Sequence, residues 1–190
     1  MIDHEIEYII EALLFAAPEP LTQNRINLIF EADRPDLAEV VEKLRDRYLS
    51  EGHGFQINNV AGGYQINTRP DYDVYVKRLL NKSGRLMLSP AALETIAIIA
   101  YKQPLNRYDI EAIRGVDCSG VLKTLLTRNL IKVKGRDEGS GRPLLYATTD
   151  KFLEYFGLAR LSDMPQLKEI NELTDTDEAQ GEREQVDAFE

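Results

Sequence analysis

A pattern that occurs twice constrains this chain more than any other feature. At a shift of 84 residues Pro20 falls on Pro104, Leu21 on Leu105, Thr22 on Asn106 and Ile26 on Ile110. In both copies an apolar helical stretch, EALLFAA or ETIAIIAYK, runs toward a proline, whose ring cannot continue a helix. A leucine follows, then a Thr or Asn whose side-chain oxygen can accept a backbone N–H bond and start the next helix. The chain reads helix, tight turn, helix, two times over.

What comes after each pair is also alike. PDLAEVVEKLRDRYLSEG sets Leu37, Val40, Val41, Leu44 and Leu49 near helical spacing, and Gly52 stops it. FQINNV and YQINTR are strand-like and flank Ala61-Gly62-Gly63, a hairpin signal. In the second copy Val121, Leu122, Leu125 and Leu126 predict a third helix, and IKVKGR and LLYATT predict two strands. Gly135, Gly139 and Gly141 let their connection turn, with Arg136 and Arg142 as braces. A further helix follows each hairpin, DYDVYVKRLL and DKFLEYFGL. The order predicts an α+β, mostly helical fold of two tandem winged helices, residues 1–82 and 87–162. The helix-breaking NKSGR around Asn81 to Leu86 is the linker, and 163–190 is a tail.

Charge divides the chain at similar places. The whole carries 23 Lys and Arg against 32 Asp and Glu, a net -9, which argues against a simple polyanion binder. Ten acidic and two basic residues lie in 163–190, a segment with few large apolar side chains and no period. Such a segment cannot offset its ordering entropy and is expected to be disordered. Residues 1–84 hold 9 basic and 14 acidic side chains, whereas 85–162 hold 12 and 8. The expected globular part is therefore nearly neutral, with halves of opposite sign.

Chemistry is narrowed by scarcity. Cys118 has no partner for an internal disulfide, and with His4 and His53 it offers no metal framework, so neither metal nor cofactor is expected. The histidines read as solvated bystanders, and Cys118 as a small residue in a helix-cap region. No GxSxG, P-loop, HExxH or dinucleotide fingerprint occurs, and no enzyme is expected. The acidic opening IDHEIEYIIEALLF lacks the basic start of a secretory signal, and no apolar run approaches the roughly 18 residues of a membrane helix. A cytoplasmic chain with no membrane partner is expected.

Two surfaces stand out. The first copy's third helix balances Asp36, Glu39, Glu42 and Asp46 against Lys43, Arg45 and Arg47, a poor start for entering a DNA groove. The second copy places Lys123 and Arg128 on its third helix and Lys132, Lys134, Arg136 and Arg142 around the wing. That set is either a phosphate patch or a solvated strand face with cations alternating outward from Ile131 and Val133. The helix SPAALETIAIIAYKQ, with Ser89 as N-cap and Pro90 in its first turn, is apolar almost all round. Either the other domain or a partner protein must cover its second side. Tyr146, Phe152, Tyr155 and Phe156 are expected to fill the small second core first, and some to line a groove.

LSPAALETIAIIAYKQPLNRYDIEAIRGVDCSGVLKTLLTRNLI and KGRDEGSGRPLLYATTDKFLEYFGLARLSDMPQL resemble the segregation and condensation protein B (ScpB) family. The resemblance spans about residues 5 to 167, and EALLFAAPEPLT is similar to that family's opening. It implies a winged-helix accessory subunit of the bacterial SMC condensin, associated with the nucleoid. Such a subunit forms a homodimer mainly through its first winged helix and binds the kleisin ScpA, through which it reaches the SMC heads. DNA would be touched only indirectly or weakly. On that reading Leu93, Ile96, Ile99, Tyr101, Leu105 and the Arg142-Pro143 wing base are candidates for the kleisin surface. The Ile6 to Phe15 and 37–49 helices are candidates for the dimer surface. Lys123, Lys132, Lys134 and Arg136 are candidates for DNA contact. The alternative is a DNA-binding regulator using the basic wing.

Overall fold

The computed structural model describes residues 3–32, 34–80, 87–139 and 141–165. The order is α1 (Asp3–Ala16), α2 (Gln23–Ile29), α3 (Leu37–Ser50), β1 (Phe55–Val60), β2 (Gly63–Thr68) and α4 (Asp73–Leu80). Then come α5 (Pro90–Lys102), β3 (Leu105–Asn106), α6 (Arg107–Arg114), α7 (Ser119–Thr127), β4 (Ile131–Arg136), β5 (Leu144–Thr148) and α8 (Asp150–Phe156). Three helices and a hairpin, followed by another helix, appear twice, and the fold is a tandem winged helix.

The repeated Leu explains itself in hydrogen bonds. Leu21 N–H donates to the Tyr64 carbonyl at 2.8 Å, and Tyr64 N–H donates back to the Leu21 carbonyl at 2.9 Å, which stitches the turn before α2 onto β2. At the equivalent place Leu105 pairs with Tyr146, and there the pairing is long enough to form β3, giving an antiparallel sheet of order β3-β5-β4. The sequence carries no signal for β3 because two residues show no period. Thr22 and Asn106 both cap the helix that follows. Thr22 accepts from the Arg25 N–H, and Asn106 forms a reciprocal capping box with Asp109. Ser89 likewise accepts from the Ala92 N–H at the start of α5.

Each sheet is held by a helical core. In the first half Ile10, Leu14, Leu21, Ile26, Val41 and Leu44 are all buried, with Ile57 entering from β1. Gly63 sits where β2 passes the Leu21 backbone, and a Cβ there would lie 2.8 Å from the Leu21 carbonyl oxygen. Gly63→Ala is therefore expected to destabilise by about 1–3 kcal/mol through overpacking, read as a lower urea midpoint. An unchanged midpoint would show that the Leu21–Tyr64 stitch is loose. In the second half the core gathers Ile96, Ile99, Ile110, Leu122, Leu125 and Phe152, with α5 packed on α6, α7 and β5.

Residues 1–160 form one compact unit. Within it the first hairpin turn reaches the chain after α8. Ala61 (φ 49°) and Gly62 (φ 72°) donate N–H bonds to the Leu158 and Ala159 carbonyls at 2.9 and 3.0 Å. The second unit begins at Leu161, and its described residues, 161–165, include the 3-10 turn Leu161–Asp163. The NKSGR linker lies outside the described residues, as does the acidic tail from residue 166 onward.

Candidate functional site

α5 resolves into two faces that its composition concealed. Ile96 and Ile99 are 1% and 0% exposed and Thr95 is 0% exposed, so these side chains belong to the core and offer nothing outward. Leu93 and Tyr101, 41% and 36% exposed, face out. Leu105 is half-buried in β3, and Pro143 is half-buried at the wing base, where its carbonyl accepts the Asp137 N–H at 2.8 Å. Arg142 is exposed, with φ 43°, and its carbonyl accepts an N–H from the Arg136 guanidinium at 3.2 Å. The outward part of the proposed kleisin set thus consists of Leu93, Tyr101 and the Arg142 side chain, and on α6 Tyr108 and Ile113 are exposed as well. Among the aromatics, Tyr146 and Phe152 fill the core, and Tyr155 and Phe156 remain 40% exposed.

The first half leaves more apolar surface open. On α1, Ile10 and Leu14 turn inward while Tyr8 and Phe15 are 61% and 84% exposed. On α3, Leu37, Val40, Val41 and Leu44 are buried and Leu49 is exposed. Tyr8, Ala12 and Phe15 line one wall of a groove of about 570 Å³ whose other wall comes from Phe55 and from Ile66 to Thr68. Its charged lining residue is Glu11. One Glu11 oxygen accepts from the Arg47 guanidinium at 2.8 Å, and the other accepts from the Tyr48 hydroxyl at 2.6 Å. Burial and the Glu11 carboxylate push the Tyr48 hydroxyl well above its ordinary value. This network was invisible in the sequence because its members are 36 and 37 residues apart.

The two third helices differ electrostatically. On α3, Lys43 pairs with Glu39 at 2.9 Å, Arg45 with Glu42 at 2.6 Å and Arg47 with Glu11 at 2.8 Å. α7 contains no carboxylate. Its Lys123 is exposed, as are Lys132, Lys134 and Arg136 on β4. Among the described residues Lys123, Lys132 and Lys134 make no side-chain ion pair. The wing base is fixed from inside. Buried Asn106 donates to an Asp137 carboxylate oxygen at 2.9 Å, and the other oxygen accepts the Gly139 N–H at 3.3 Å. The Asn106 bond, chiefly, holds the Asp137 carboxyl below its ordinary value. Gly141, at φ 79°, turns the loop as its sequence position suggested.

Among the described residues the cysteine and histidine candidates stand apart. Cys118 caps α7 and is 0% exposed; its N–H and thiol both point to one Glu111 oxygen, and burial pushes the thiol up to about 11. A thiol so placed is a poor nucleophile. His53 is not the solvated bystander expected, because its ring stacks on Phe55 at 4.9 Å and meets Tyr48 edge-on at 5.2 Å. The His4 side chain lies outside what is described. Among the described residues no three His, Cys, Asp or Glu side chains group as metal ligands, and no helix is long and apolar enough to cross a membrane.

Comparison with known proteins adds an independent line. The family model for the segregation and condensation complex subunit ScpB matches residues 8–167. The chain is 48% identical to segregation and condensation protein B of Syntrophotalea carbinolica, covering 92% of this chain and 88% of that one. It is 49% identical to the protein of the same description from Symbiobacterium thermophilum, covering 87% and 75%. Among solved structures, ScpB from Mycobacterium tuberculosis is 33% identical over 83% of this chain and 98% of that one, with a TM-score of 0.39.

Proposed function

The chain belongs to the ScpB family of segregation and condensation complex subunits, and from that premise we propose that it works as a binding subunit without chemistry of its own. It pairs with a second copy of itself through the first winged helix and holds the kleisin ScpA, through which it acts on the SMC heads. Its contribution to chromosome condensation and partition is to stabilise one arrangement of the kleisin. The observation that carries the reading is the α1 groove. A soluble chain keeps few large aromatic side chains in water without a reason, and Tyr8 and Phe15 stand exposed on one helix beside an apolar cleft. Aromatic anchors in a cleft are what protein interfaces use. The outward Leu93 and Tyr101 of α5 supply a second apolar face for the kleisin.

Light scattering separates the two contacts. The isolated chain is expected at twice its 21.6 kDa mass, and Phe15→Asp is expected to return it to one copy with its helix content unchanged by circular dichroism, since Phe15 supports no core. Leu93→Asp is expected to keep the dimer and lose co-purification with ScpA. A wild-type chain that runs as a monomer and fails to hold ScpA would overturn the reading.

A further inference from the structure

We propose that the wing of the second winged helix is a DNA-backbone contact, in which Lys123 of α7 and Lys132, Lys134 and Arg136 of β4 grip the phosphates of duplex DNA without reading bases. The proposal does not rest on the kleisin reading.

Four observations carry it. First, the cations are uncompensated. Lys123, Lys132 and Lys134 have no carboxylate partner among the described residues, in a chain whose net charge is -9 and whose α3 cations are neutralised. Two acids follow β4 in the wing: Asp137, whose oxygens face the Asn106 amide and the Gly139 N–H, and the exposed Glu138. Second, the surface admits close approach. The exposed positions of α7 include Gly120, Lys123, Thr124 and Thr127, all small, hydroxylic or cationic. The two threonine hydroxyls donate to carbonyls one turn back, at 3.0 and 2.9 Å, so they present oxygens already satisfied as donors.

Third, the cations sit on the two elements by which this motif meets duplex DNA, its third helix and its hairpin. β4 is the edge of its sheet, and every residue after Ile131 is exposed. A bulge between Val133 and Gly135 bends the strand there. The wing is also prepared in advance, because Asn106, Asp137 and the Arg136-to-Arg142 bond fix its base before anything binds. Fourth, the face lacks what a protein partner would use. α7 and β4 contain no aromatic residue, and Val133, at 45% exposed, is the large apolar side chain showing there. DNA interfaces are more polar and more positive than protein interfaces, which favours a nucleic acid over an acidic protein.

The test is the full chain titrated into a fluorescent duplex of about 30 base pairs and arbitrary sequence, at about 50 and 200 mM salt. Four phosphate contacts predict a loss of affinity of roughly a hundredfold between those salts, the same for unrelated sequences. Lys132→Glu with Lys134→Glu is expected to weaken binding at least about tenfold with the melting temperature unchanged. The neutral pair Lys132→Gln with Lys134→Gln should fall between. Absence of binding at low salt, or binding that the charge reversals leave intact, overturns the proposal. So does an acidic peptide that binds the wing while the duplex does not.

Discussion

Ile99→Ala is expected to cost about 2–5 kcal/mol, the largest effect of any single truncation considered for α5. Ile99 is 0% exposed and lies on the helix face that packs on α6, α7 and β5, beside Ile96 at 1%. Removing it takes apolar surface out of the core and leaves a cavity that neighbours from three elements can only partly fill. In a chain of this size each kcal/mol shifts the melting temperature by roughly 2–4 °C, so the variant should melt well below the wild type. Leu93→Ala, on the same helix but 41% exposed, should change it little. Urea denaturation of the two variants side by side decides the matter. If Ile99→Ala kept its stability and Leu93→Ala lost it, the two faces of α5 would have to be exchanged, and with them the proposed kleisin surface.

Glu11→Ala is expected to cost about 2–4 kcal/mol, because one carboxylate serves two donors. Its removal leaves the Arg47 guanidinium and the Tyr48 hydroxyl, both largely shielded from water, without their 2.8 and 2.6 Å acceptors. Glu7, 3.7 Å from Arg47, recovers part of the ion pair and none of the tyrosine bond. The same network sets a pH dependence. Tyr48 ionises only well above the ordinary tyrosine value of about 10, mainly because it is buried and then because its hydroxyl donates a hydrogen bond to the Glu11 carboxylate. The unfolded chain therefore loses this proton first, so the contribution of Tyr48 is complete below about pH 10 and drains away above it. Urea midpoints at pH 8 and pH 11 should show that loss in the wild type and less of it in Glu11→Ala. An equal loss in both would remove Glu11 as a cause.

These two sites mark where one sequence stops being informative. The turn at Pro20 and Pro104, the caps at Thr22, Asn106 and Ser89, and the hairpin at Ala61 to Gly63 were legible because each depends on neighbours in the chain. The division of α5 was not, since Ile96, Ile98, Ile99 and Tyr101 leave no polar stripe to orient the helix. Only packing against α7 and β5 sends Ile96 and Ile99 inward and Leu93 outward. The Glu11 network and the Asn106 to Asp137 tie join residues more than thirty positions apart, and no local spacing encodes them. The basic wing was legible as residues, but its lack of acidic partners became visible only once the salt bridges of α3 could be set beside it.

The edge strand β4 has a second consequence, for how crowded copies of this chain behave. An open sheet edge is a template on which any extended segment can continue the sheet, and growth of that kind ends in insoluble fibres. Here the strand that would serve as template carries Lys132 and Lys134, and its bulge breaks the register that an incoming strand would have to copy. The charges that would hold a polyanion therefore also act as gatekeepers against aggregation. Neutralising them for any purpose removes both properties together.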